Sequence, residues 1–322
     1  MKKSRKSDFY QISKISEMHQ SIPENFNLGY ACICTELRKK NIFCSRTLRI
    51  KTIEEKGIEH AKNLALKNLK DLMTILQYNL ENKIFFMRLS SDMFPFASHE
   101  KYGYSLDFAD ELLKDIGNYA KQNKMRLTMH PGQYNVLSTP RKDVLLNTYR
   151  DLNHQCDILD RMGLDQNSVM IIHGGGVYGN KKKAIERLIV NIKNLPENTK
   201  NRIVLENCEM SYCIDDLLPI SEELQVPIVI DFHHDDIFKS PECSSKYFDR
   251  VFKIWNDRGI KPKVHVSNSC PGVTDDDNKT VRRKHSDLIH FFHEALLKIT
   301  FPIDVMLEAK LKEQAIFKLR KQ

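Results

Sequence analysis

Six short apolar segments of this chain each end on a histidine or a carboxylate. The segment Arg126-Leu-Thr-Met-His130, for example, runs into Pro131 and Gly132, through which a strand cannot continue. Short apolar segments bounded in this way are typical of buried parallel strands. The six endings are His130, His173, Glu206, Asp231, His265 and Glu308.

Two further apolar segments, at residues 27–33 and 84–88, come before these six, and apolar residues at helical spacing fill the intervals. The predicted helices cover about residues 52–78, 106–122, 142–162, 181–194, 214–224, 247–259 and 284–298. Strict alternation of strands and helices requires parallel strands with right-handed crossovers. The predicted fold is therefore α/β, a single (β/α)8 TIM barrel over residues 26–322, preceded by a basic tail at residues 1–25 that we expect to be mobile.

The hydrophobic pattern, the cysteine spacing and the charge balance indicate the class of protein. The 322 residues include no apolar run long enough to cross a bilayer, and the eight cysteines form no C-x-x-C pair. We therefore expect a soluble, intracellular protein without a membrane segment and with free thiols. Lys and Arg number 50 against 42 Asp and Glu, a formal charge of +8 that favours a polyanionic partner without establishing one.

The strand ends of a TIM barrel meet around one mouth, where the active sites of such barrels lie. Imidazoles and carboxylates without thiolates suit manganese or zinc, whereas magnesium prefers oxygen ligands. Three carboxylates crowded together repel one another unless they are protonated or bind metal, so we predict more than one divalent ion. His234 and His285 are additional candidate ligands, although any single histidine is equally explained by packing.

Four other residues fit a site of this kind. Gln133 and Tyr134 follow His130 on a loop, where an amide can bind base edges and an aromatic ring can stack on bases. Tyr30 ends the first strand and could face the same mouth. Lys263 precedes His265 by two residues and so points to the same side of its strand. Packing at the rim, or an ion pair inside the barrel, explains these residues as well.

Several longer motifs resemble the UV damage endonuclease family. They are Met129-His-Pro-Gly-Gln-Tyr134, His173-Gly-Gly-Gly-Val-Tyr-Gly-Asn-Lys181, Leu205-Glu-Asn207, Asp231-Phe-His-His234, Lys263-Val-His-Val-Ser267 and Met306-Leu-Glu-Ala-Lys-Leu-Lys-Glu313. The resemblance implies a barrel related to endonuclease IV and xylose isomerase. It also implies a DNA repair endonuclease that nicks double-stranded DNA immediately 5′ of UV photoproducts and leaves 3′-hydroxyl and 5′-phosphate ends.

The resemblance also assigns roles to individual residues. The implied cofactor is manganese, as two or three divalent ions, with zinc or magnesium as alternatives. The implied metal ligands are His130, His173, Glu206, Asp231, His234, His265, His285 and Glu308. The implied catalytic residues are Glu206, Lys263 and His265. The implied DNA and lesion contacts are Tyr30, His99, Gln133, Tyr134 and Asn207.

The chain departs from the family pattern at Cys34, at Cys208 and in a longer charged stretch at residues 270–284. The main alternative is a metal-dependent sugar or sugar-phosphate isomerase on the same barrel, because strand-end ligands serve that chemistry equally well. A third is a non-catalytic DNA-binding barrel with structural metals. We expect a monomer that acts on UV-damaged duplex DNA.

Overall fold

Eight parallel strands form the barrel that the sequence predicts. The computed structural model describes residues 21–321. The strands are β1 (Phe26–Ala31), β2 (Phe86–Arg88), β3 (Arg126–Thr128), β4 (Met170–His173), β5 (Ile203–Glu206), β6 (Ile228–Asp231), β7 (Lys263–Val266) and β8 (Ile303–Leu307). They pair in the order β3-β2-β1-β8-β7-β6-β5-β4, and a parallel bridge between Met129 and Met170 joins β3 to β4. The predicted fold class is confirmed.

Helices follow the strands and cover the outside of the barrel. They are α1 (Thr35–Lys39), α2 (Ile50–Glu81), α3 (Asp110–Gln122), α4 (Lys142–Arg161), α5 (Lys181–Lys193), α6 (Glu197–Lys200), α7 (Ile214–Leu224), α8 (Phe232–Ile237), α9 (Phe248–Asp257), α10 (Lys279–Arg282) and α11 (Glu313–Arg320). A break at Gly57, whose φ is 77°, divides α2. No helix within residues 21–321 has the length and apolar character needed to cross a membrane.

The helix predicted at residues 284–298 is wrong. The structure has an irregular segment there that ends in a 3-10 turn, Leu296–Lys298. The Asn268 side chain explains the difference, because its Oδ1 accepts hydrogen bonds from the backbone amides of His290 and Phe291. These amides are therefore bound to the loop after β7 and not to a preceding helical turn. Of the predicted N-terminal tail, residues 1–20 lie outside the described part of the chain.

Alternation along the strands separates an outer core from the barrel interior. Phe26, Leu28 and Tyr30 of β1 belong to the large apolar core that also includes α2. The alternate residues of β1 face inward, and one of them, Ala31, packs with Phe86 and Met306 in a small separate cluster. The rest of the interior is largely polar, which leaves room for charged groups at both ends of the barrel.

A buried carboxylate closes the floor of the barrel, at the N-terminal ends of the strands. Asp304 is fully buried, and its Oδ2 accepts a hydrogen bond from Arg126 Nη1 at 2.8 Å. Its Oδ1 accepts bonds from Lys261 Nζ and from Asn27 Nδ2. Arg126 itself is nearly buried and also binds two backbone carbonyls. This pair is therefore isolated from solvent and from the strand-end residues above it.

Replacing Asp304 with alanine should destabilise the fold strongly, because Arg126 would remain buried without its counter-charge. We expect a loss of about 3–5 kcal/mol in the free energy of unfolding, measured by urea denaturation. Asp257→Ala is the matched control, since Asp257 pairs with Lys253 on the exposed face of α9 and should cost at most about 1 kcal/mol. Equal losses in the two variants would contradict a structural role for the floor pair.

Candidate metal centre and nucleic-acid interface

The Glu206 carboxylate lies at the centre of the strand-end residues. Its Oε2 is 2.9 Å from His130 Nε2, and its Oε1 is 2.8 Å from His265 Nδ1. The parallel register places His173 beside Glu206, with His173 Nε2 3.7 Å from Oε2. His234 Nδ1 is 3.6 Å from Oε1. One buried carboxylate thus contacts four imidazoles from four different strands or strand ends.

Two more carboxylates complete the cluster. Asp231 pairs in register with His265, and its Oδ2 lies 3.6 Å from His234 Nδ1 and 4.0 Å from His265 Nδ1. Glu308 Oε1 is 3.5 Å from the same His265 nitrogen. Within residues 21–321, ligand atoms lie within 4.8 Å of one another in three groups: His130–His173–Glu206, Glu206–Asp231–His234 and Asp231–His265–Glu308.

Burial and like charges act most strongly on Asp231 among the three carboxylates, since the pKa values of Glu206 and Glu308 are lowered, although burial opposes it, by the nearby imidazoles and by Arg88. Burial raises the pKa of Asp231 to about 7, and the nearby Glu206 and Glu308 carboxylates contribute to the rise. Burial disfavours the charged form of His234, but the surrounding carboxylates, Asp231 first, outweigh it and raise its pKa to about 10. Burial lowers the pKa of His265 to about 4, so this imidazole is neutral at pH 7.

The donor set fits divalent ions. Asp231 Oδ2, which faces His234 and His265, is buried and has no hydrogen-bond partner. Neutral imidazoles and ionised carboxylates are the donors that zinc and manganese accept. Cations between these groups would also offset the repulsion among three carboxylates. The groups share Glu206 and Asp231, so two or three ions would be bridged by carboxylates.

His285 lies at the edge of this cluster. Its Nδ1 is 3.9 Å from Glu308 Oε2, and it belongs to none of the three groups. A bridge to Ser269 fixes its backbone. The structure therefore places His285 beside the centre, where its role as a ligand stays a prediction.

Two charged residues of the centre were not predicted from the sequence. Arg88 ends β2, and its Nη1 donates a hydrogen bond to Glu308 Oε1. Although burial opposes it, the Arg88 guanidinium holds the pKa of Glu308 well below its usual range. Glu209 lies on the loop after β5, with its Oε2 3.7 Å from His234 Nε2. The position of Arg88 at a strand end was a usable signal, whereas no pattern marked Glu209.

Lys263 lies in the barrel interior below His265. It is fully buried, and its Nζ has no hydrogen-bond partner. Burial lowers the pKa of Lys263 well below its usual value, and the guanidinium groups of Arg88 and Arg126 add to this effect. The side chain is therefore buried within electrostatic range of Glu206 and Glu308, and its predicted catalytic role stays a prediction.

Two predicted DNA contacts are buried in this structure. Tyr30 points away from the mouth, because alternation along β1 directs it into the outer core, where its hydroxyl donates to Asn79 Oδ1 at 2.8 Å. Asn207 is fully buried and binds both the amide and the carbonyl of Asp231, while its own carbonyl oxygen lies 2.9 Å from His234 Nδ1. The expectation that they face DNA is therefore not met, and Asn207 instead positions two residues of the metal centre.

The other three predicted contacts are exposed. The Tyr134 side chain is 62% exposed, and its ring lies against Gly132, where a Cβ atom would be only 2.3 Å from the ring. Gln133 beside it is also exposed. Asn135 anchors this loop, since its Nδ2 donates to Asp151 Oδ2 at 2.7 Å. His99 is exposed on the loop after β2, where its ring contacts Phe96 and Tyr102.

Comparison with known proteins identifies one family over most of the chain. The family profile described as UV-endonuclease UvdE matches residues 26–322. A UV-damage endonuclease of Schizosaccharomyces pombe is 40% identical over 313 residues, which are 94% of this chain and 51% of the relative. The chain thus spans about half the length of that protein. A putative UV-damage endonuclease of Acanthamoeba polyphaga mimivirus is 38% identical over 91% of this chain and 89% of its own length.

Structural comparison agrees with the sequence comparison. The crystal structure titled SacUVDE superposes with a TM-score of 0.81 and 30% identity, and the match covers 92% of this chain and 97% of that one. The barrel, the strand-end cluster and the profile match all concern the same residues, 26–322. This chain belongs to the UV-endonuclease family.

Proposed function

We propose that this chain nicks double-stranded DNA immediately 5′ of UV photoproducts and leaves 3′-hydroxyl and 5′-phosphate ends. The observation that carries the proposal is a cluster of candidate metal ligands centred on Glu206, on the same face of the barrel as the exposed pair Gln133 and Tyr134. Membership in the UV-endonuclease family supports it. We further propose two or three divalent ions, manganese first, as the cofactor.

The cluster residues have separate tasks in this reaction. His130, His173 and Glu206 would hold one ion, and Asp231, with His234, His265 and Glu308, would hold the remainder. When bound, such ions lower the pKa of a water molecule and offset the charge that develops on the scissile phosphate. Arg88 keeps Glu308 oriented and ionised, and Asn207 fixes the ends of β5 and β6 relative to each other.

The exposed loop supplies damage selectivity. Tyr134 projects from a loop that Asn135 and Asp151 hold in place, so its ring can enter a duplex without a large loss of conformational entropy. Unpairing a damaged step costs less than unpairing an intact one, which favours lesions without reading sequence. An aromatic side chain this exposed also disfavours the isomerase alternative, which requires a closed pocket around a small sugar.

Nicking of supercoiled plasmid tests the proposed function directly. Purified protein with manganese should convert UV-irradiated plasmid to the open circular form and leave unirradiated plasmid supercoiled. A chelator added beforehand should abolish the conversion. Binding to irradiated plasmid without nicking would favour the non-catalytic alternative, and neither binding nor nicking would contradict the proposal.

Glu206→Gln should remove both metal and activity, because it deletes the negative charge that contacts four imidazoles. Loss of a single partner behind a ligand typically costs about 10–100-fold, so we expect a loss of more than about 100-fold in nicking rate. Bound manganese, measured by mass spectrometry after dialysis, should fall by at least one ion per chain. Glu223→Gln is the control, since Glu223 pairs with Lys193 on the outer surface. A fully active Glu206→Gln protein would contradict the assignment of the centre.

Tyr134→Ala should weaken the preference for damaged DNA while metal content is unchanged. Stacking of a base on an aromatic ring contributes about 1–3 kcal/mol, so the ratio of binding to damaged and intact duplex should fall by about 5- to 150-fold. Tyr134→Phe keeps the ring and should keep the preference. If both variants retain wild-type selectivity, Tyr134 does not probe the duplex.

A further inference from the structure

The segment after β7 brings positive charge to the edge of the metal centre. This segment, the β7 arm, comprises residues 267–285 and connects β7 to His285. It includes the charged stretch, residues 270–284, by which the sequence departs from the family motifs. Its basic residues are Lys279, Arg282, Arg283 and Lys284.

Several hydrogen bonds fix the β7 arm to the barrel. Ser269 bridges His285 across the base of the arm, and its hydroxyl donates to the carbonyl of Arg282 at 2.6 Å. Asn278 begins α10 by accepting a hydrogen bond from the amide of Val281. Arg282 Nη2 donates to the carbonyl of Asp236 in α8, the helix that also carries His234. The arm and the metal centre therefore share one rigid support.

Arg283 is directed toward the centre and remains accessible. Its Nη1 is 3.5 Å from Glu209 Oε1, and the other oxygen of Glu209 is 3.7 Å from His234 Nε2. The Arg283 side chain is 49% exposed. A guanidinium has five N–H donors, and one carboxylate oxygen at this distance engages only part of that capacity. Arg283 can therefore bind an anion that approaches the centre from solvent.

Lys279 adds a second cation on the same arm. Its Nζ is 4.6 Å from the centroid of the Phe238 ring, immediately after α8, and Lys181 of α5 approaches that ring at 5.6 Å. Among the acidic residues of the arm, Asp275 pairs with Arg282 and Asp277 accepts hydrogen bonds from Thr274. Within the described residues, no aspartate of the arm forms an ion pair with Lys279 or Arg283.

The position of the β7 arm relative to the loop of Gln133 and Tyr134 also fits a surface that binds DNA. In the closed ring of eight strands, β7 lies four strands from β3, so the arm and the loop of Gln133 and Tyr134 lie on opposite sides of the mouth. The metal centre lies between them. A duplex that spans the mouth would meet the exposed aromatic ring on one side and the cations of the arm on the other.

We propose that Arg283 and Lys279 bind phosphates of the DNA backbone beside the scissile position. This inference rests on the proposed function and names the arm as a binding surface within it. Contacts to phosphates position a duplex but carry no information about its bases. Arg283 and Lys279 therefore contribute affinity for damaged and intact DNA alike, whereas discrimination of lesions depends on the opposite loop.

The salt dependence of binding tests this proposal. Binding of intact duplex to the manganese-loaded protein should be measured by fluorescence anisotropy between about 50 and 200 mM salt. Arg283→Gln should reduce the slope of log K against log salt by about 0.9, as should Lys279→Gln, and the double variant should lose about twice that. Arg283→Lys keeps the charge and should keep most of the slope. In nicking of damaged duplex, Arg283→Gln should raise KM and leave kcat within about twofold.

The matched control is Arg250→Gln, since Arg250 also pairs with a glutamate and is 55% exposed, but lies on the outer helix α9. An Arg283→Gln slope equal to that of Arg250→Gln would overturn the proposal, as would a loss of kcat at unchanged KM, which would make Arg283 a positioning residue for Glu209 and His234. If Arg283→Gln loses manganese, the salt slopes of Lys279→Gln and Arg283→Lys test the proposal in its place. Absence of nicking by the wild-type protein refutes the proposed function separately, because binding of intact duplex does not require cleavage.

Discussion

Repulsion among Glu206, Asp231 and Glu308 is the constraint on which the functional end of this barrel depends. Three buried carboxylates at one strand end are unfavourable unless cations or hydrogen-bond donors compensate them. The protein supplies part of this compensation itself, through the His130 and His265 contacts to Glu206 and the Arg88 contact to Glu308. Asp231 Oδ2 remains buried without a hydrogen-bond partner, so this compensation leaves room for a cation.

The charged groups that stabilise the floor of the barrel are separate from the three carboxylates at its mouth. At the floor, Asp304 is matched by Arg126, Lys261 and Asn27 and has no unmet need for an ion. Between floor and mouth lie apolar residues such as Phe86 and Met306, together with the buried Lys263. The candidate metal ligands therefore lie at one end of the barrel, and the charged groups of the floor hold the strands together at the other.

The sequence predicted the barrel and most of the centre because both follow from one repeated pattern. An apolar segment that stops at a histidine or a carboxylate specifies a strand, its C-terminal end and an inward-facing ligand together. Alternation along β1 shows that Tyr30, one residue away from the inward-facing Gly29 and Ala31, turns to the outer core. The sequence shows that Tyr30 lies on the opposite face of β1 from Gly29 and Ala31, but it does not show which face points into the barrel.

Other features depended on tertiary contacts that leave no local pattern. The apolar spacing of residues 284–298 is typical of a helix, yet Asn268, about 20 positions earlier, binds the backbone there and prevents it. Glu209 and Arg283 are surface-type residues in sequence, and only the fold brings Glu209 next to His234 and Arg283 next to Glu209. Sequence periodicity cannot identify the site residues that lie on loops and reach the site through long-range packing.

Anomalous diffraction from crystals soaked in manganese would show whether the cluster around Glu206 binds metal. We predict at least two anomalous peaks, one among His130, His173 and Glu206 and another among Glu206, Asp231 and His234. Glu206 and Asp231 would then each have a cationic partner, as Glu308 already has in Arg88. Saturating manganese without any peak within ligand distance of Glu206 would contradict the claim that this cluster is a metal centre.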